Sequence, residues 1–303
     1  MERPIEALGC DVGGTKVKLA RLRRGEVDYS REIPSPRNVS AASFVRTLVG
    51  AVEGILEADP PDGEPPPLGV ALPGFLDPER RRVVLLSNLP ALNGVDLAAR
   101  LEKRLARRIV LETDTNAGAV GEALLGAGRG FDRLLYVTLG TGLGAALTVE
   151  GKPARVSHHT VGQIAHIPLS DHGPPCSCGQ TGCAESLLSA RGILRRAGSN
   201  APSSTRGLYE AARDGEDGAI AVWRETGELL GRLSRILVAL FSPQVVVVGG
   251  GIAAAADYFL PQARAYLRRT LPRGSRDSLR LEKASLGPFA GAVGAALIAA
   301  DTS

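Results

Sequence analysis

Three of the four cysteines in the chain lie within eight positions, as Cys176, Cys178 and Cys183. His166 precedes them in "VGQIAHIPL", an apolar stretch that predicts a β-strand. Zinc prefers one imidazole and three thiolates in tetrahedral geometry, and a site whose four positions are all filled by protein is structural. Buried unpaired cysteines or a redox pair are the alternatives, but no CxxC motif is present. The sequence therefore predicts a structural zinc site.

Two residues after the last cysteine stands Glu185, a carboxylate that the metal loop is expected to hold in place. Gly179 and Gly182 let the backbone turn tightly enough for the thiolates to converge on one ion. The remaining cysteine, Cys10, lies in an apolar strand-like run and is interpreted as a core residue.

Two glycine turns separate pairs of strand-like segments, "DVGGTK" at residues 11–16 and "LGTGLGA" at residues 139–145. A Walker loop or a dinucleotide fingerprint would precede a helix, so neither motif fits. In the first turn Asp11 is placed to meet a hydrated cation, and Thr15 and Lys16 suit phosphate oxygens. Two hairpins of this design predict a duplicated phosphate-binding fold.

Asp114 lies where the strand-like segment "RIVLETD" enters the Ala/Gly-rich helical segment "TDTNAGAVGEALLGAG". Open α/β sheets place their ligands at the carboxyl ends of strands. Phosphoryl transfer needs a base that takes or orients the proton of the attacking hydroxyl, and Asp114 is the candidate by position. The alternative is that Asp114, two residues before Asn116, only caps the helix.

The elements that position these residues follow the order βββαβαβα twice, which predicts two α/β domains facing a cleft. The N-terminal domain is expected over residues 1–115, with the C-terminal helix at 288–303 packed back on it. Residues 116–287 form the larger domain with the zinc site. A helix at "SAASFVRTLVGAVEGILEA" is expected to be capped by Ser40 or Ser43, and residues 186–241 are expected to be mostly helical.

The chain has 303 residues and a formal net charge of +4, with basic residues scattered among acidic ones. This pattern argues against a nucleic-acid footprint. The N-terminus lacks a signal-peptide pattern and no apolar run is long enough to span a bilayer, so a cytoplasmic protein without membrane partners is expected.

The motifs together resemble the ROK family of sugar kinases and sugar-responsive repressors, within the actin and hexokinase-like (ribonuclease H-like) superfamily. The matching segments run nearly end to end: "DVGGTK", "ALPGFLD", "TDTNAGAVGE", "LGTGLGA", "IAHI" with "CSCGQTGCAE", "VVVVGGGIA" and "AGAVGAAL". The resemblance implies an ATP-dependent hexose kinase with Mg²⁺, a structural zinc, a sugar substrate and a homodimer or homotetramer.

By the same resemblance, Asp114 matches the catalytic aspartate. The residues implied to bind the sugar are Gly74, Asn88, Thr113, Gln163, His166 and Glu185. The residues implied to bind ATP and its metal are Asp11, Gly13, Gly14, Thr15, Lys16, Gly140, Thr141, Gly142, Gly250 and Gly251. His166 would ligate zinc through one ring nitrogen while the other faces the sugar.

The sugar pocket departs from the family pattern. ROK glucokinases usually carry Asn-Asp and Glu-x-Gly-His, where this chain has Thr113-Asp114 and Gln163-Ile164-Ala165-His166. Glucose is therefore the default substrate, with an N-acetylhexosamine kinase, a fructokinase or a catalytically weak binding protein as alternatives. A sugar-sensing repressor is disfavoured, because such proteins carry a DNA-binding helix-turn-helix before the first phosphate motif, which begins here at residue 11.

Overall fold

The structure is a computed structural model that describes residues 6–61, 63–155 and 162–301. Within these ranges the chain divides into two compact α/β units. The first unit is Met1–Gly126, Lys152–Thr160 and Pro288–Ser303, and the second is Ala127–Gly151 and Val161–Gly287. The C-terminal segment thus belongs to the first unit.

The strands within the described residues are β1 (Glu6–Val12), β2 (Lys16–Arg23), β3 (Glu26–Pro34), β4 (Leu68–Leu72), β5 (Phe75–Leu76), β6 (Val83–Leu85), β7 (Ile109–Thr113), β8 (Arg133–Leu139), β9 (Leu143–Val149), β10 (Lys152–Pro153), β11 (Val245–Gly249) and β12 (Arg280–Lys283). The helices are α1 (Ala41–Ala58), α2 (Leu97–Leu105), α3 (Asp114–Leu124), α4 (Ala184–Leu188), α5 (Ala190–Ala197), α6 (Thr205–Arg213), α7 (Asp217–Phe241), α8 (Ala256–Thr270), α9 (Arg273–Ser278) and α10 (Ala290–Asp301).

The sheet of the first unit has the strand order β3-β2-β1-β4-β7. The strands β1, β2 and β3 are antiparallel neighbours, whereas β1, β4 and β7 run parallel. One face of the sheet packs against α1 and α2, because alternate strand residues such as Leu8, Cys10 and Leu19 join the apolar stripes of these helices in one core. Cys10 is fully buried in this core, as the sequence predicts.

The opposite face of the same sheet receives α10 at very short range. A methyl group added at Gly9 of β1 would lie 1.8 Å from the carbonyl oxygen of Ala292, so only glycine permits this approach. Gly294 packs equally closely on α3, since a methyl group there would lie 1.6 Å from the carbonyl oxygen of Ala117. The small residues of α10 therefore fix both β1 and α3, which carry Asp11 and Asp114.

The second unit repeats this arrangement. An antiparallel hairpin, β8-β9, adjoins the parallel strands β8, β11 and β12, just as the hairpin β1-β2 adjoins β1, β4 and β7. The strand β11 is buried at every position, as its continuous apolar sequence predicts. The duplication that the two glycine hairpins predict is thus present in the strand topology.

Several local predictions have clear outcomes. The side chain of Ser40 caps α1 by accepting a hydrogen bond from the backbone N–H of Ser43, and the segment 186–241 is mostly helical, so both predictions are confirmed. The strand predicted at "VGQIAHIPL" is wrong, because the described part, from Gly162 onward, contains a 3-10 turn at Ile164–His166. The adjacent residues Ile164 and Ala165 are both buried, which an alternating strand would not allow.

Over the described residues, none of the helices has the length and hydropathy that crossing a bilayer requires.

Candidate active site and metal cluster

The first glycine turn connects β1 and β2. The backbone N–H of Gly13 donates to the carbonyl of Lys16 at 2.9 Å and closes the turn. Asn88 lies beside it, because a methyl group added at Gly14 would lie 3.4 Å from the Nδ2 atom of Asn88. Thr15 and Lys16 are exposed at the tip. The turn therefore brings the predicted phosphate residues together with one of the predicted sugar residues.

Lys18, a residue that sequence reasoning missed, pairs with Asp11. The Nζ atom of Lys18 lies 3.4 Å from the Oδ2 atom of Asp11, and these two residues are cross-strand partners. Lys16 instead pairs with Glu32 on β3, and 58% of its side chain is exposed, against 23% for Lys18. The hairpin register could have revealed this pair, because a turn centred between residues 14 and 15 places residue 18 opposite residue 11.

The carboxyl group of Asp11 also lies at the start of α10. A methyl group added at Gly291, in the first turn of that helix, would lie 2.8 Å from the Cγ atom of Asp11. Burial raises the pKa of Asp11, and the neighbouring charge and hydrogen bond of Lys18 oppose that effect. The site thus holds one carboxylate between a lysine and a helix N-terminus, both of which favour negative charge.

Asp114 is the first residue of α3, directly after β7. The helix is capped by Thr113, whose hydroxyl accepts from the backbone N–H of Asn116, so Asp114 does not supply this cap. The Oδ1 atom of Asp114 accepts from the backbone N–H of Thr115 at 2.7 Å and from its hydroxyl at 3.1 Å. One oxygen is therefore held locally.

The environment of Asp114 makes it a stronger base than an ordinary aspartate. Burial, and next the negative charge of Asp11, raise the pKa of Asp114 to about 6, while the hydrogen bonds from Thr115 and the charge of Lys18 act in the opposite direction. A carboxylate with this pKa is mostly ionised at neutral pH and still accepts a proton readily.

Directly before this turn lies Glu112, a carboxylate that is 1% exposed. Its Oε1 atom accepts from the backbone N–H of Thr113 at 2.9 Å and from Nδ2 of Asn116 at 3.0 Å. Its Oε2 atom pairs with Arg80 at 3.2 Å and with Arg155. Four donors from three segments thus meet at one buried carboxylate beside Asp114.

In the second unit, the glycine turn between β8 and β9 contacts Glu185. The Oε2 atom of Glu185 accepts from the backbone N–H of Leu143 at 3.2 Å, and a methyl group at Gly142 would lie 3.0 Å from the same oxygen. The carbonyl of Gly140 accepts from the backbone N–H of Ala190 at 2.8 Å. Thr141 is exposed at the tip of this turn.

The glycine turn after β11 packs against the end of β8. Gly250 has a φ of +84°, and a methyl group there would lie 2.2 Å from the carbonyl oxygen of Leu139. Both the conformation and the close approach require glycine at this position. Among the described residues, no neighbouring atom lies within 4 Å of the position that a methyl group at Gly251 would occupy. A ligand can therefore approach the backbone of Gly251.

The predicted metal ligands do converge. One ligand atom each from His166, Cys176, Cys178 and Cys183 lies within 4.8 Å of all the others. The Sγ atom of Cys176 is 3.5 Å from Nδ1 of His166, and the Sγ atoms of Cys178 and Cys183 are 3.6 Å apart. Tetrahedral ligands at about 2.3 Å from zinc have edges of about 3.8 Å, so the residues fit a zinc ion.

The ionisation of the thiols also favours a cation. A hydrogen bond from the backbone N–H of Cys178 lowers the pKa of Cys176 to about 7, whereas burial raises the pKa of Cys183 to about 12. Thiols packed this closely cannot all ionise without a positive charge between them. Gly182, with a φ of +67°, makes the tight loop possible, since a methyl group there would lie 1.7 Å from the carbonyl oxygen of Ser170.

The predicted sugar residues are found in both units. Gly74 and Asn88 belong to the first, and a methyl group at Gly74 would lie 2.2 Å from the carbonyl oxygen of Leu85. Gln163, at the start of the 3-10 turn, has an exposed side chain, and the half-buried His166 ends the same turn. Within the second unit, Cys183 starts the helix that carries Glu185, which links the metal cluster to that carboxylate.

The chain belongs to the ROK family, whose sequence model matches residues 7–302. It is 31% identical over 271 residues to a glucokinase of Thermotoga maritima, with 84% of each chain covered. It is 33% identical over 307 residues to the N-acetylgalactosamine kinase AgaK of Shewanella sp., covering 96% of this chain and 95% of that relative.

Among solved structures, a ROK family glucokinase from Streptomyces griseus in complex with glucose and AMPPNP is 29% identical, with a TM-score of 0.82. The match covers 98% of this chain and 99% of that one. The α/β fold of the actin and hexokinase-like superfamily, expected from the resemblance, is thereby confirmed.

Proposed function

We propose that the protein is an ATP-dependent hexose kinase that transfers the γ-phosphoryl group to a sugar hydroxyl, the 6-hydroxyl of glucose by default, with Asp114 as general base. Its family and its curated relatives support an ATP-dependent sugar kinase. The sugar, the hydroxyl and the base are what this proposal adds. The observation that carries it is Asp114, a half-buried carboxylate with a pKa of about 6 at the start of α3, close enough to Asp11 for their charges to interact.

In the proposed reaction, the second oxygen of Asp114 orients the sugar hydroxyl and accepts its proton as the hydroxyl oxygen attacks the γ-phosphorus. The bond from this phosphorus to the β,γ-bridging oxygen breaks, and ADP leaves. Because phosphoryl transfer depends mainly on positioning and on charge stabilisation, the protein has to hold both reactants and supply positive charge.

The glycine turns supply backbone donors for the phosphate chain. In this proposal Gly13, Gly14, Thr15 and Lys16 from the first turn, and Gly140, Thr141 and Gly142 from the second, bind phosphate oxygens, while Gly250 and Gly251 approach the adenosine. Asp11 would hold hydrated Mg²⁺, which needs few protein ligands and supplies positive charge to the phosphate oxygens when bound.

The sugar side of the proposal uses Gly74, Asn88, Thr113, Gln163, His166 and Glu185. Thr113 is buried, and its hydroxyl oxygen already accepts the hydrogen bond that caps α3. Few ligand groups can therefore reach this hydroxyl. Zinc, held by His166 and the three cysteines, would keep the loop before α4 in one conformation and thereby fix Glu185.

A second candidate substrate class, the N-acetylhexosamines, is favoured by Gln163. The amide of Gln163 is exposed and carries donors that a carboxylate lacks, so it can donate to an acetyl oxygen. Curated relatives of similar identity include both a glucokinase and an N-acetylgalactosamine kinase, so identity alone does not favour either sugar.

The test is a coupled assay of ADP release with MgATP and a panel of hexoses: glucose, mannose, fructose, glucosamine, N-acetylglucosamine, N-acetylgalactosamine and N-acetylmannosamine. Glucose is expected to give the highest kcat/KM, and Asp114→Asn is expected to lower kcat by roughly 10²–10⁴-fold while ATP still binds. Bound ATP without turnover on any sugar would contradict the kinase and support a binding protein. An N-acetylhexosamine as the best substrate would favour the second candidate.

The proposal also includes a cytoplasmic location, which is an expectation from the sequence, and a homodimer or homotetramer, which the family resemblance implies. Size-exclusion chromatography with light scattering measures the second directly. A monomer at working concentration would remove the oligomer from the proposal without affecting the kinase.

A further inference from the structure

The buried carboxylate of Glu112 is a charged group that the proposed reaction does not use. It is 1% exposed, at the end of β7, two residues before Asp114. Burying a charge is unfavourable unless the charge is paired and hydrogen-bonded, so its surroundings have to be complete. The four donors around it meet this requirement.

The two oxygens of Glu112 contact different groups. Among the described residues, Oε1 accepts from the turn that begins α3, from the backbone N–H of Thr113 and the side-chain amide of Asn116. These two residues flank Asp114 in the chain, one on each side. Oε1 therefore holds the backbone of the turn on both sides of the proposed base.

The other oxygen connects this turn to two distant segments. Oε2 pairs with Arg80, from the turn between β5 and β6, and with Arg155, which follows β10. Arg80 has a φ of +53°, which is uncommon for a residue with a side chain. Asp77 stabilises its turn by accepting from the backbone N–H groups of Arg81 and Arg82. The β5-β6 turn is thus shaped so that Arg80 reaches Glu112.

We propose that Glu112 is a positioning residue for phosphoryl transfer, which, with Arg80 and Arg155, fixes the turn that presents Asp114 to the sugar hydroxyl. The inference depends on the proposed function, since it assumes that Asp114 is the base. Glu112 does not touch the reactants. It acts through the orientation of Asp114, where a shift of about 1 Å can lower the rate by about 10²-fold.

The experiment compares Glu112→Gln with Glu102→Gln in steady-state kinetics. The amide introduced by Glu112→Gln has a single oxygen acceptor, so its nitrogen must face either the turn or the two arginines. The control removes another bidentate ion pair of the same unit, Arg81–Glu102, which has contacts of 2.6 and 3.2 Å between two partly exposed side chains. Glu112→Gln is expected to lower kcat about 10²-fold with the KM for ATP unchanged within twofold, and Glu102→Gln to change neither.

Two further variants separate positioning from folding. Arg155→Lys keeps both positive charges beside Oε2 and is expected to retain kcat within about threefold, whereas Arg155→Met leaves only that of Arg80 and lowers kcat further. If Glu112→Gln is poorly folded, the double variant Glu112→Gln, Arg155→Met, which removes one of the unpaired cations, is measured instead with the same expectation for kcat. Activities are normalised to folded protein, from the near-UV circular dichroism of each sample.

Each outcome has one meaning. Normal kcat per folded molecule in Glu112→Gln, or an equal loss in Glu102→Gln, overturns the positioning inference alone. An inactive wild type, or an Asp114→Asn variant with wild-type kcat, overturns the proposed function and the positioning inference with it.

Discussion

The carboxylate of Glu185 accepts a hydrogen bond from the backbone N–H of Leu143 at 3.2 Å. This contact joins α4, which follows directly after the predicted metal ligand Cys183, to the glycine turn between β8 and β9. A proposed sugar residue and a proposed phosphate turn are therefore linked through one hydrogen bond, and the residue that makes it lies two positions after the predicted metal cluster.

Removing the metal is accordingly expected to weaken both sugar and ATP binding. We expect one zinc per chain by elemental analysis, and a rise of about tenfold or more in both KM values after chelation or in Cys178→Ser. Cys10→Ala is the matched control, because it removes a thiol from the core of the first unit and keeps the zinc content. Full zinc loss with unchanged kinetics would contradict the linkage.

The pH dependence of the reaction is expected to follow Asp114. Since the base must be ionised, kcat/KM is expected to fall about tenfold per pH unit below a pH of about 6. With an ordinary aspartate as the base, this acidic limb of the pH profile would begin only below a pH of about 4. Lys18→Met removes a positive charge that lowers the pKa of Asp114, so the acidic limb of the pH profile is expected to move to higher pH. Lys16→Met is the control, because it removes the same charge from a lysine that pairs with Glu32. This control variant is expected to leave the acidic limb in place, whether or not it changes ATP binding. A limb near pH 4 in the wild type would exclude Asp114 as the base.

The raised pKa of Asp114 also predicts that the Asp114→Asn variant is more stable than the wild type. Folding raises the pKa of Asp114 from 3.8 to about 6, so the ionised carboxylate destabilises the folded state above pH 6, and this cost disappears as the pH falls towards 3.8. Asp114→Asn is therefore expected to raise the free energy of unfolding at pH 8 by at most about 3 kcal/mol, and by little at pH 4. Thermal melting of both proteins at the two pH values measures this. A variant less stable than the wild type at pH 8 would contradict it.

The exposed amide of Gln163 is expected to limit glucose affinity. Gln163→Glu supplies a charged acceptor, whose hydrogen bonds are stronger by about 1 kcal/mol, so the KM for glucose should fall about fivefold. The turnover of N-acetylhexosamines relative to glucose should fall as well. Asn200→Asp adds the same charge at another exposed amide of the second unit, outside the cysteine loop, and serves as the control. Equal effects of both variants would indicate a general charge effect.

Much of this protein follows from local chemistry that the sequence displays directly. Cysteine and histidine spacing defined the metal cluster, and the glycine turns between apolar runs defined both hairpins, since ligand type and turn conformation are properties of short segments. The position of Asp114 followed in the same way from a strand that leads into a helix.

The tertiary structure decided which side chains meet. It placed Lys18 rather than Lys16 beside Asp11, assigned the helix cap to Thr113 rather than Asp114, and replaced a predicted strand by the 3-10 turn before the cysteines. It also brought Arg80 and Arg155 to Glu112. These contacts depend on strand register and on segments that are far apart in the chain. The energy of a buried charge depends on the groups next to it in space, and the sequence does not show which groups these are.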